Sequence, residues 1–416
     1  MPSVEGLGAR RAALRMLDAV LRRGQTLDSA AGGGGGLSPA DRGLALAIAG
    51  ETLRRIPDLD ALIDSATRQR LPDDSKARMV LRLALAQKIG LGTPEHAVVA
   101  TALPLVDGGP RRLVHGVLGT LLRRGVQPIE APRLPDPVEE RWRAAWGEDV
   151  VHAVRRIIAK RPPLDLSFAD DSEAQSYATQ HGGISLAPKH VRLDSQSVAE
   201  LPQFSDGCWW VQDLAASLPA RLIRGDAAEV LDLCAAPGGK TMQMAAAGHK
   251  VMSVDASQGR LERLRENLDR THLEAELVHA DALGFEPGRQ FDAILLDAPC
   301  SATGTFRRHP EVLYRARPRV IAESAELQGK LLERAARWLK PGGALVYSVC
   351  SLEPEEGEQV IHRLVETNPD FAVDAASDLP HFAAATEEGY VRMLPGLLER
   401  EGGLDGFFIA RLVRRG

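Results

Sequence analysis

The stretch LDLCAAPGGKT at residues 231–241 decides the fold, because its pattern is that of a buried strand, a glycine turn and the start of a helix. Small residues and two glycines at such a junction let a ligand approach the backbone closely. The stretch lacks the G-x-G-x-x-G order of a dinucleotide-binding turn and the full Walker A spacing of a phosphate-binding loop. A nicotinamide-dependent dehydrogenase is therefore disfavoured.

Short apolar runs alternate with helical segments after residue 228. Near-continuous apolar strands joined by helices indicate a parallel sheet that is covered on both faces. Two further runs, at 391–394 and 406–413, predict an antiparallel hairpin at the sheet edge. We expect a doubly wound, mostly parallel, seven-stranded α/β domain whose ligands bind at the carboxyl ends of the strands. The parallel strands are predicted at EVLDL (229–233), KVMSVD (250–255), ELVHAD (276–281), FDAILLD (291–297) and ALVYSVC (344–350).

The chain before this sheet has a different character. Residues 1–124 show helical periodicity without strand-like alternation, which predicts an all-α domain. Four prolines in residues 125–137 predict an inter-domain linker, and residues 138–225 are expected to form a helical and α+β adaptor. The catalytic domain is then expected to occupy residues 226–416.

Composition excludes several classes of protein. The 416 residues are 44% hydrophobic and 26% charged, which is typical of soluble globular proteins and excludes collagen, mucin-like stalks and wholly disordered chains. The sequence contains no apolar run of membrane-spanning length, and its charged start is unlike a secretory signal. Four cysteines are too few for a disulfide scaffold, so we expect a cytoplasmic protein without membrane association.

Charge is unevenly distributed along the chain. The net charge is −5, but residues 1–130 carry 18 Lys and Arg against 13 Asp and Glu. Arginine is the residue type that best matches phosphate geometry, so the excess fits a module that binds a polyanion. A genome rich in G and C, which favours arginine codons, explains it equally well.

Carboxylates follow three consecutive strands of the predicted sheet. The second, third and fourth strands end at Asp255, Asp281 and Asp297, on the same rim as the glycine turn. A carboxylate at such a position can accept hydrogen bonds from ribose hydroxyls. Three of them beside a glycine turn favour a nucleoside site over chance helix capping.

Cys300 and Cys350 leave two neighbouring strands on this same rim, in DAPCSATG (297–304) and VYSVCS (346–351). Isolated cysteines are usually small buried hydrophobes, and that interpretation stays open. Zinc binding is disfavoured because the Cys and His spacing does not match a structural site. A disulfide is disfavoured in a reducing compartment.

These motifs, together with YSVCSLEPEEGE at 347–358, resemble those of the RNA cytosine-5 methyltransferases that use S-adenosylmethionine. LVHGVLGTLLRR, at 113–124, resembles part of the NusB-like domain of the Fmu/RsmB-type ribosomal RNA methyltransferases, a branch of the NOL1/NOP2/sun family. QDLAAS (212–217) and DGFFIARLVRR (405–415) also fit. The resemblance covers nearly the whole chain and implies methylation of C5 of a cytidine in ribosomal RNA, with 16S RNA suggested by the helical domain.

The resemblance also implies roles for single residues. Cys350 is expected to be the nucleophile that adds to cytosine C6, and Cys300 to assist breakdown of the adduct. Asp297 is expected to lie between the methyl donor and the base, and Lys240 to influence a thiol or hold the base. The residues expected to bind S-adenosylmethionine are Cys234, Ala235, Ala236, Pro237, Gly238, Gly239, Lys240, Asp255, Asp281 and Asp297.

A base inside a helix cannot reach such a pocket, so the expected partner is RNA with a single-stranded or flipped-out cytidine. We expect a monomer without a metal. Two alternatives stay open: the same chemistry on tRNA, and a non-catalytic RNA-binding assembly factor. The arginines that follow Cys300 are expected to grip RNA phosphates, although a solvated loop has the same pattern. They are Arg307, Arg308, Arg315, Arg317 and Arg319.

Overall fold

The structure is a computed structural model that describes residues 5–32, 36–194, 198–376 and 379–415. Its helices and strands, in chain order, are α1 (Leu7–Arg23), α2 (Leu27–Gly32), α3 (Pro39–Ser65), α4 (Lys76–Gly90), α5 (Glu95–Ala102), α6 (Gly108–Arg124), α7 (Asp136–Trp146), α8 (Glu148–Ile158), β1 (Leu164–Phe168), α9 (Asp171–His181), β2 (His190–Leu193), β3 (Trp209–Val211), α10 (Leu218–Arg221), β4 (Glu229–Leu233), α11 (Gly239–Ala246), β5 (Lys250–Asp255), α12 (Gln258–Thr271), β6 (Glu276–His279), β7 (Phe291–Asp297), α13 (Val312–Arg315), α14 (Pro318–Arg337), β8 (Leu339–Val349), α15 (Glu358–Thr367), β9 (Phe371–Val373), β10 (Val391–Met393) and β11 (Phe407–Arg414).

The chain divides into two compact units. The helical unit comprises Met1–Lys160 with Phe306–Ala316, and the sheet unit comprises Arg161–Thr305 with Arg317–Gly416. This grouping differs from the predicted domains at two places. The predicted linker and the first part of the predicted adaptor, through residue 160, lie within the helical unit, and so does a short segment taken from the middle of the predicted catalytic domain.

Local sequence signals explain where the helices of the helical unit begin and end. The Ser38 hydroxyl accepts a hydrogen bond from the Asp41 amide at 3.1 Å, so it caps α3 just before Pro39. Helix α1 ends at Arg23 and is followed by Gly24, whose φ of 66° is the left-handed conformation that glycine adopts without strain. Apolar faces of α1, α3, α4 and α6 form one core that includes Leu17, Ile48 and Leu118.

The segment Phe306–Ala316 packs as part of the helical unit. The Phe306 ring lies 5.7 Å from the fully buried Trp142 ring of α7, measured between centroids. The Tyr314 hydroxyl donates a hydrogen bond to the Leu53 carbonyl at 2.8 Å, and buried Glu311 accepts one from the Leu27 amide at 3.1 Å. Burial of these side chains explains why the segment belongs with helices far from it in the sequence.

A small antiparallel sheet opens the sheet unit, with strand order β2-β1-β3. Its Asp165 carboxylate is buried and accepts two hydrogen bonds from the Arg192 guanidinium, at 2.7 and 2.8 Å. The Arg192 guanidinium and the neighbouring His190 ring hold the pKa of the Asp165 carboxyl well below its ordinary value, against the opposing effect of burial. These strands lie within residues 138–225, where a helical and α+β adaptor is predicted.

The main sheet has the order β10-β11-β8-β7-β4-β5-β6, and β9 pairs with the end of β11 beyond β10. Strands β8, β7, β4, β5 and β6 are parallel, and β11 runs antiparallel to β8 and β10. The predicted doubly wound sheet with its antiparallel edge is therefore confirmed. The order reverses between β4 and β7, and ligands bind at the carboxyl ends of strands at such a switch point.

Candidate active site

The glycine turn connects β4 to α11 at this switch point. Cys234 and Gly238 both have positive φ, 60° and 106°, so the backbone reverses sharply before α11 begins at Gly239. A Cβ atom at position 238 would collide with the Leu264 side chain of α12, which makes glycine necessary there. Burial raises the pKa of the Cys234 thiol to about 12, so this cysteine packs as an inert neutral group.

A buried hydrogen bond links the two elements on either side of the glycine turn, β4 and α11. The Thr241 hydroxyl donates a hydrogen bond to the Asp232 carboxylate at 2.6 Å, and both side chains are fully buried. Burial raises the pKa of Asp232 to about 7, although the hydrogen bond from Thr241 opposes the shift. The other Asp232 oxygen has no hydrogen-bond partner among the described residues.

Asp255 ends β5 and is 3% exposed. One of its oxygens accepts a hydrogen bond from the Ala236 amide at 3.1 Å, and the other accepts one from the Ser257 amide at 2.9 Å. Strand β6 ends two residues earlier than predicted, so Asp281 lies two residues beyond its end, and it is exposed. The first carboxylate therefore fixes the glycine turn, while the second faces solvent.

The donor and acceptor groups on this rim fit S-adenosylmethionine. Asp255 ends β5, Asp281 follows β6 and Asp297 ends β7, which are all parallel strands of the main sheet, and their carboxylate oxygens suit ribose hydroxyls, amino groups and the positive sulfonium. The turn between β4 and α11 brings backbone close to the same rim. A nucleoside cofactor with a cationic tail matches this set of groups.

Asp297, at the end of β7, joins two neighbouring elements. One of its oxygens lies 2.7 Å from the Lys240 ammonium of α11, and the other accepts a hydrogen bond from the Ser348 hydroxyl of β8 at 2.7 Å. The Lys240 nitrogen also lies 5.4 Å from the centre of the Phe407 ring. The structure thus brings Lys240 and Asp297 together as an ion pair at the rim.

The two predicted cysteines meet at this rim. The sulfur atoms of Cys300 and Cys350 are 3.5 Å apart, and both side chains are half-buried. The hydrogen bond to Cys350, followed by burial, raises the pKa of the Cys300 thiol well above its ordinary value. Cys300 therefore holds its proton tightly in this arrangement.

Sequence reasoning missed Glu356, which is completely buried beside the cysteine loops. Its carboxylate accepts hydrogen bonds from the Ser301 amide at 2.8 Å and from the hydroxyls of Ser301 and Ser351. The run EPEEGE at 353–358 contains four glutamates. Glu353 and Glu356 are buried and Glu355 is exposed, and nothing in the local pattern distinguishes these positions.

The five predicted phosphate-binding arginines do not form one group. Arg307 is 1% exposed, so it is a buried packing residue rather than one that a phosphate can reach. Arg315 donates a hydrogen bond to the Gly24 carbonyl at 2.7 Å within the helical unit, and Arg308 is half-buried there. Arg317 and Arg319 belong to the sheet unit and are exposed, the latter 2.7 Å from Glu323. The prediction is corrected for Arg307.

Comparison with known proteins identifies the family. A family model described as 16S rRNA methyltransferase RsmB/F matches residues 221–413, and a model described as NusB family matches residues 7–123. Ribosomal RNA small subunit methyltransferase B of Erwinia tasmaniensis is 34% identical over 402 residues, covering 87% of this chain and 88% of its own. The protein of that name from Pseudomonas putida is 33% identical over 443 residues, covering 98% and 99%. The chain belongs to the RsmB/F methyltransferase family.

A solved structure is also similar to this chain. The crystal structure of a methyltransferase homolog protein from Pyrococcus horikoshii is 28% identical to this chain, with a TM-score of 0.58, and covers 72% of this chain and 98% of its own. As an RsmB/F family member, the chain is a ribosomal RNA methyltransferase that uses S-adenosylmethionine. Within the described residues, the helices are too short or too polar to cross a membrane. The same residues contain no group of three or more His, Cys, Asp or Glu side chains that could hold a metal ion.

Proposed function

We propose that the protein methylates C5 of a cytidine in ribosomal RNA through a covalent bond between Cys350 Sγ and C6 of the base. The observation that carries this proposal is the 3.5 Å contact between the sulfurs of Cys300 and Cys350, at a rim suited to S-adenosylmethionine. Cytosine C5 is a weak nucleophile, and addition of a thiolate to C6 makes it enamine-like. Two thiols in contact match a reaction that must both form and break such an adduct.

The chemistry assigns a separate role to each thiol. The motif resemblance assigns the attack on C6 to Cys350, in YSVCS, and leaves Cys300, in DAPCS, to assist breakdown of the adduct. The Cys350 sulfur bonds to C6, and the electrons of the C5–C6 double bond move to C5. Bound S-adenosylmethionine supplies the methyl group that C5 acquires.

Breakdown of the adduct requires that the C5 proton leave. Once the Cys350 sulfur is bonded to carbon, it can no longer raise the pKa of Cys300, and that thiol can release its proton to solvent. The Cys300 sulfur then accepts the proton from C5, the C5–C6 double bond reforms, and Cys350 leaves C6 as a thiolate.

Lys240 and Asp297 are proposed to hold the base. Asp297 is fixed by hydrogen bonds from Lys240 and Ser348, so its oxygens have a defined direction. A carboxylate there can contact the amino group of the cofactor or accept a hydrogen bond from the edge of the cytosine ring. Lys240 sets the charge beside that edge and can stabilise a nearby thiolate.

The cofactor is proposed to contact residues 234–240, Asp255 and Asp281, with the exposed Asp281 near the adenine. RNA is proposed to enter with its cytidine flipped out of any helix, since a paired base cannot reach the rim. Arg317 and Arg319 are the members of the arginine segment whose exposure suits phosphate contact. The NusB family match supports RNA binding by the helical unit, and the description of the RsmB/F family model, which names 16S rRNA, favours 16S RNA as the substrate.

Transfer of tritium from labelled S-adenosylmethionine to 16S RNA, followed by bisulfite sequencing, tests the function. We expect label in RNA and one protected cytidine. A parallel reaction with tRNA tests the alternative substrate, and the Cys350→Ala variant provides the control for background transfer. Label at an atom other than C5, or RNA binding without transfer, would contradict the proposal, and the latter would favour an assembly factor.

A further inference from the structure

We propose that Glu356 is a positioning residue that holds the Cys300 loop and the Cys350 loop together, so that the two sulfurs stay in contact during the reaction. The inference rests on the proposed function for its catalytic meaning. The geometry on which it depends, a buried carboxylate that bridges both loops, stands independently of that function.

The bridge is direct on both sides. Ser301, which follows Cys300, donates its amide and its hydroxyl to Glu356. Ser351, which follows Cys350, donates its hydroxyl to the same carboxylate at 2.5 Å. Each cysteine is therefore one residue away from a group that is fixed to the same side chain, although the two loops leave different strands, β7 and β8.

Further hydrogen bonds align the hydroxyls toward Glu356. The Thr303 and Ser351 hydroxyl oxygens are 3.2 Å apart, and the Thr303 oxygen accepts a hydrogen bond from the Leu352 amide at 2.9 Å. The Ser351 oxygen also accepts one from the Glu353 amide at 3.1 Å. These acceptor roles leave the hydroxyl hydrogens of Thr303 and Ser351 free to point along the chain of oxygens toward the carboxylate.

Burial of a charged carboxylate such as that of Glu356 costs free energy of folding, so stability alone does not explain its presence. The side chain is completely buried, burial raises the pKa of its carboxyl, and its partners among the described residues are uncharged donors. Four donors, from Ser301 (twice), Ser351 and Gln328, match the four lone-pair positions of an ionised carboxylate. A protonated carboxyl would have to give up one of these hydrogen bonds.

The position of Glu356 explains how two separate loops keep a fixed sulfur–sulfur distance. Misplacement of a reacting group by about 1 Å can cost 100-fold in rate. Loss of the carboxylate would release Ser301 and Ser351 from their common partner, and the two sulfurs would separate. The substrate and cofactor groups on the rest of the rim would be unaffected, so the effect should appear in kcat rather than in KM.

The test compares Glu356→Gln with Glu355→Gln in the full-length protein. Glu355 is the adjacent residue and is exposed, so it provides a matched control for loss of one carboxylate. Two measurements are made: kcat and KM for RNA and S-adenosylmethionine, and the rate at which diamide joins Cys300 to Cys350, followed by peptide mapping. In that oxidation the two thiols lose two protons and two electrons, which reduce the azo bond of diamide to a hydrazine.

We expect Glu356→Gln to lower kcat roughly 10- to 100-fold and to slow cross-linking by a similar factor, with both KM values changed less than about twofold. Glu355→Gln should match the wild-type protein in both assays. Wild-type kcat or a wild-type cross-linking rate in Glu356→Gln would overturn the inference. If Glu356→Gln does not fold, Ser301→Ala, which removes one donor from the bridge, replaces it with the same criteria.

The cross-linking rate reports the sulfur geometry without requiring methyl transfer. If Cys350→Ala proves fully active, the proposed function fails while the cross-linking result still measures what Glu356 does. If Cys350→Ala is inactive and Glu356→Gln behaves as the wild-type protein, the function stands and the positioning role fails.

Discussion

The sulfur atoms of Cys300 and Cys350 lie 3.5 Å apart, although 50 residues separate them in the sequence. Parallel pairing of β7 with β8 brings the ends of these strands together, as shown by the register of Asp297 against Ser348. Each cysteine follows its strand within a few residues. The contact is thus a direct product of the sheet.

Replacement of Cys350 by alanine should abolish methyl transfer, because C5 is not activated without a thiolate at C6. Affinity for S-adenosylmethionine should change little, since the proposed cofactor contacts lie in other residues. Tritium transfer and equilibrium binding measure the two properties. A variant that retains more than roughly one-hundredth of the wild-type rate would contradict the nucleophile assignment.

Replacement of Cys300 by alanine should trap the enzyme on its substrate. The adduct with Cys350 would form, but the group that takes the C5 proton would be missing. A covalent protein–RNA species should then accumulate and survive a denaturing gel, and it should be absent from a Cys300→Ala, Cys350→Ala double variant. Continued turnover without such a band would assign breakdown to another group.

Asp232 should make the stability of the sheet unit depend on pH. Its pKa is about 7 in the folded protein against 3.8 ordinarily, so the folded state binds the proton more tightly than the unfolded chain. The resulting stabilisation is fully present below pH 3.8, falls as pH rises, and is lost above pH 7. It amounts to at most about 4 kcal/mol.

The Asp232→Asn variant cannot titrate at this position and serves as the reference. The difference in thermal midpoint between the wild-type protein and this variant should shift in favour of the variant from pH 5 to pH 8. Differential scanning calorimetry in buffers of constant ionic strength measures that difference. A difference that does not change with pH would show that Asp232 has the same pKa in both states.

Neutralising Arg317 and Arg319 together as glutamines should weaken RNA binding. Each phosphate contact that is lost should reduce the slope of log K against log salt by about one unit. Arg337→Gln, a change of an exposed arginine near the other end of α14, is the matched control. Equal affinities and slopes for all three proteins would remove these arginines from the RNA-binding surface.

The sequence was most informative where structure is local. The glycine turn at 231–241 and the strand-end positions of Asp255 and Asp297 follow from strand periodicity, and the cap at Ser38 follows from three adjacent residues. Since parallel strands place their carboxyl ends on one rim, the meeting of Cys300 and Cys350 could also be predicted. These features need only short-range pattern and sheet topology.

Features that depend on distant partners could not be predicted in this way. Arg307 sits among arginines and looks exposed, but the segment that contains it is buried within the helical unit. Glu356 resembles the other glutamates of its run until Ser301 and Ser351 converge on it. In both cases part of the environment is supplied by residues far away in the sequence, such as Ser301 for Glu356, and a local pattern contains no information about them.

The segment Phe306–Ala316 belongs to the helical unit, whereas the residues on both sides of it belong to the sheet unit. The chain therefore passes from one unit to the other three times. A fragment that starts at residue 161 would still carry these eleven residues but would leave Phe306 and Tyr314 without the side chain and carbonyl that they contact. Cleavage of one peptide bond therefore cannot separate the sheet unit from the whole of the helical unit. A chimaera that receives a different amino-terminal domain must therefore also receive a matching segment in place of Phe306–Ala316.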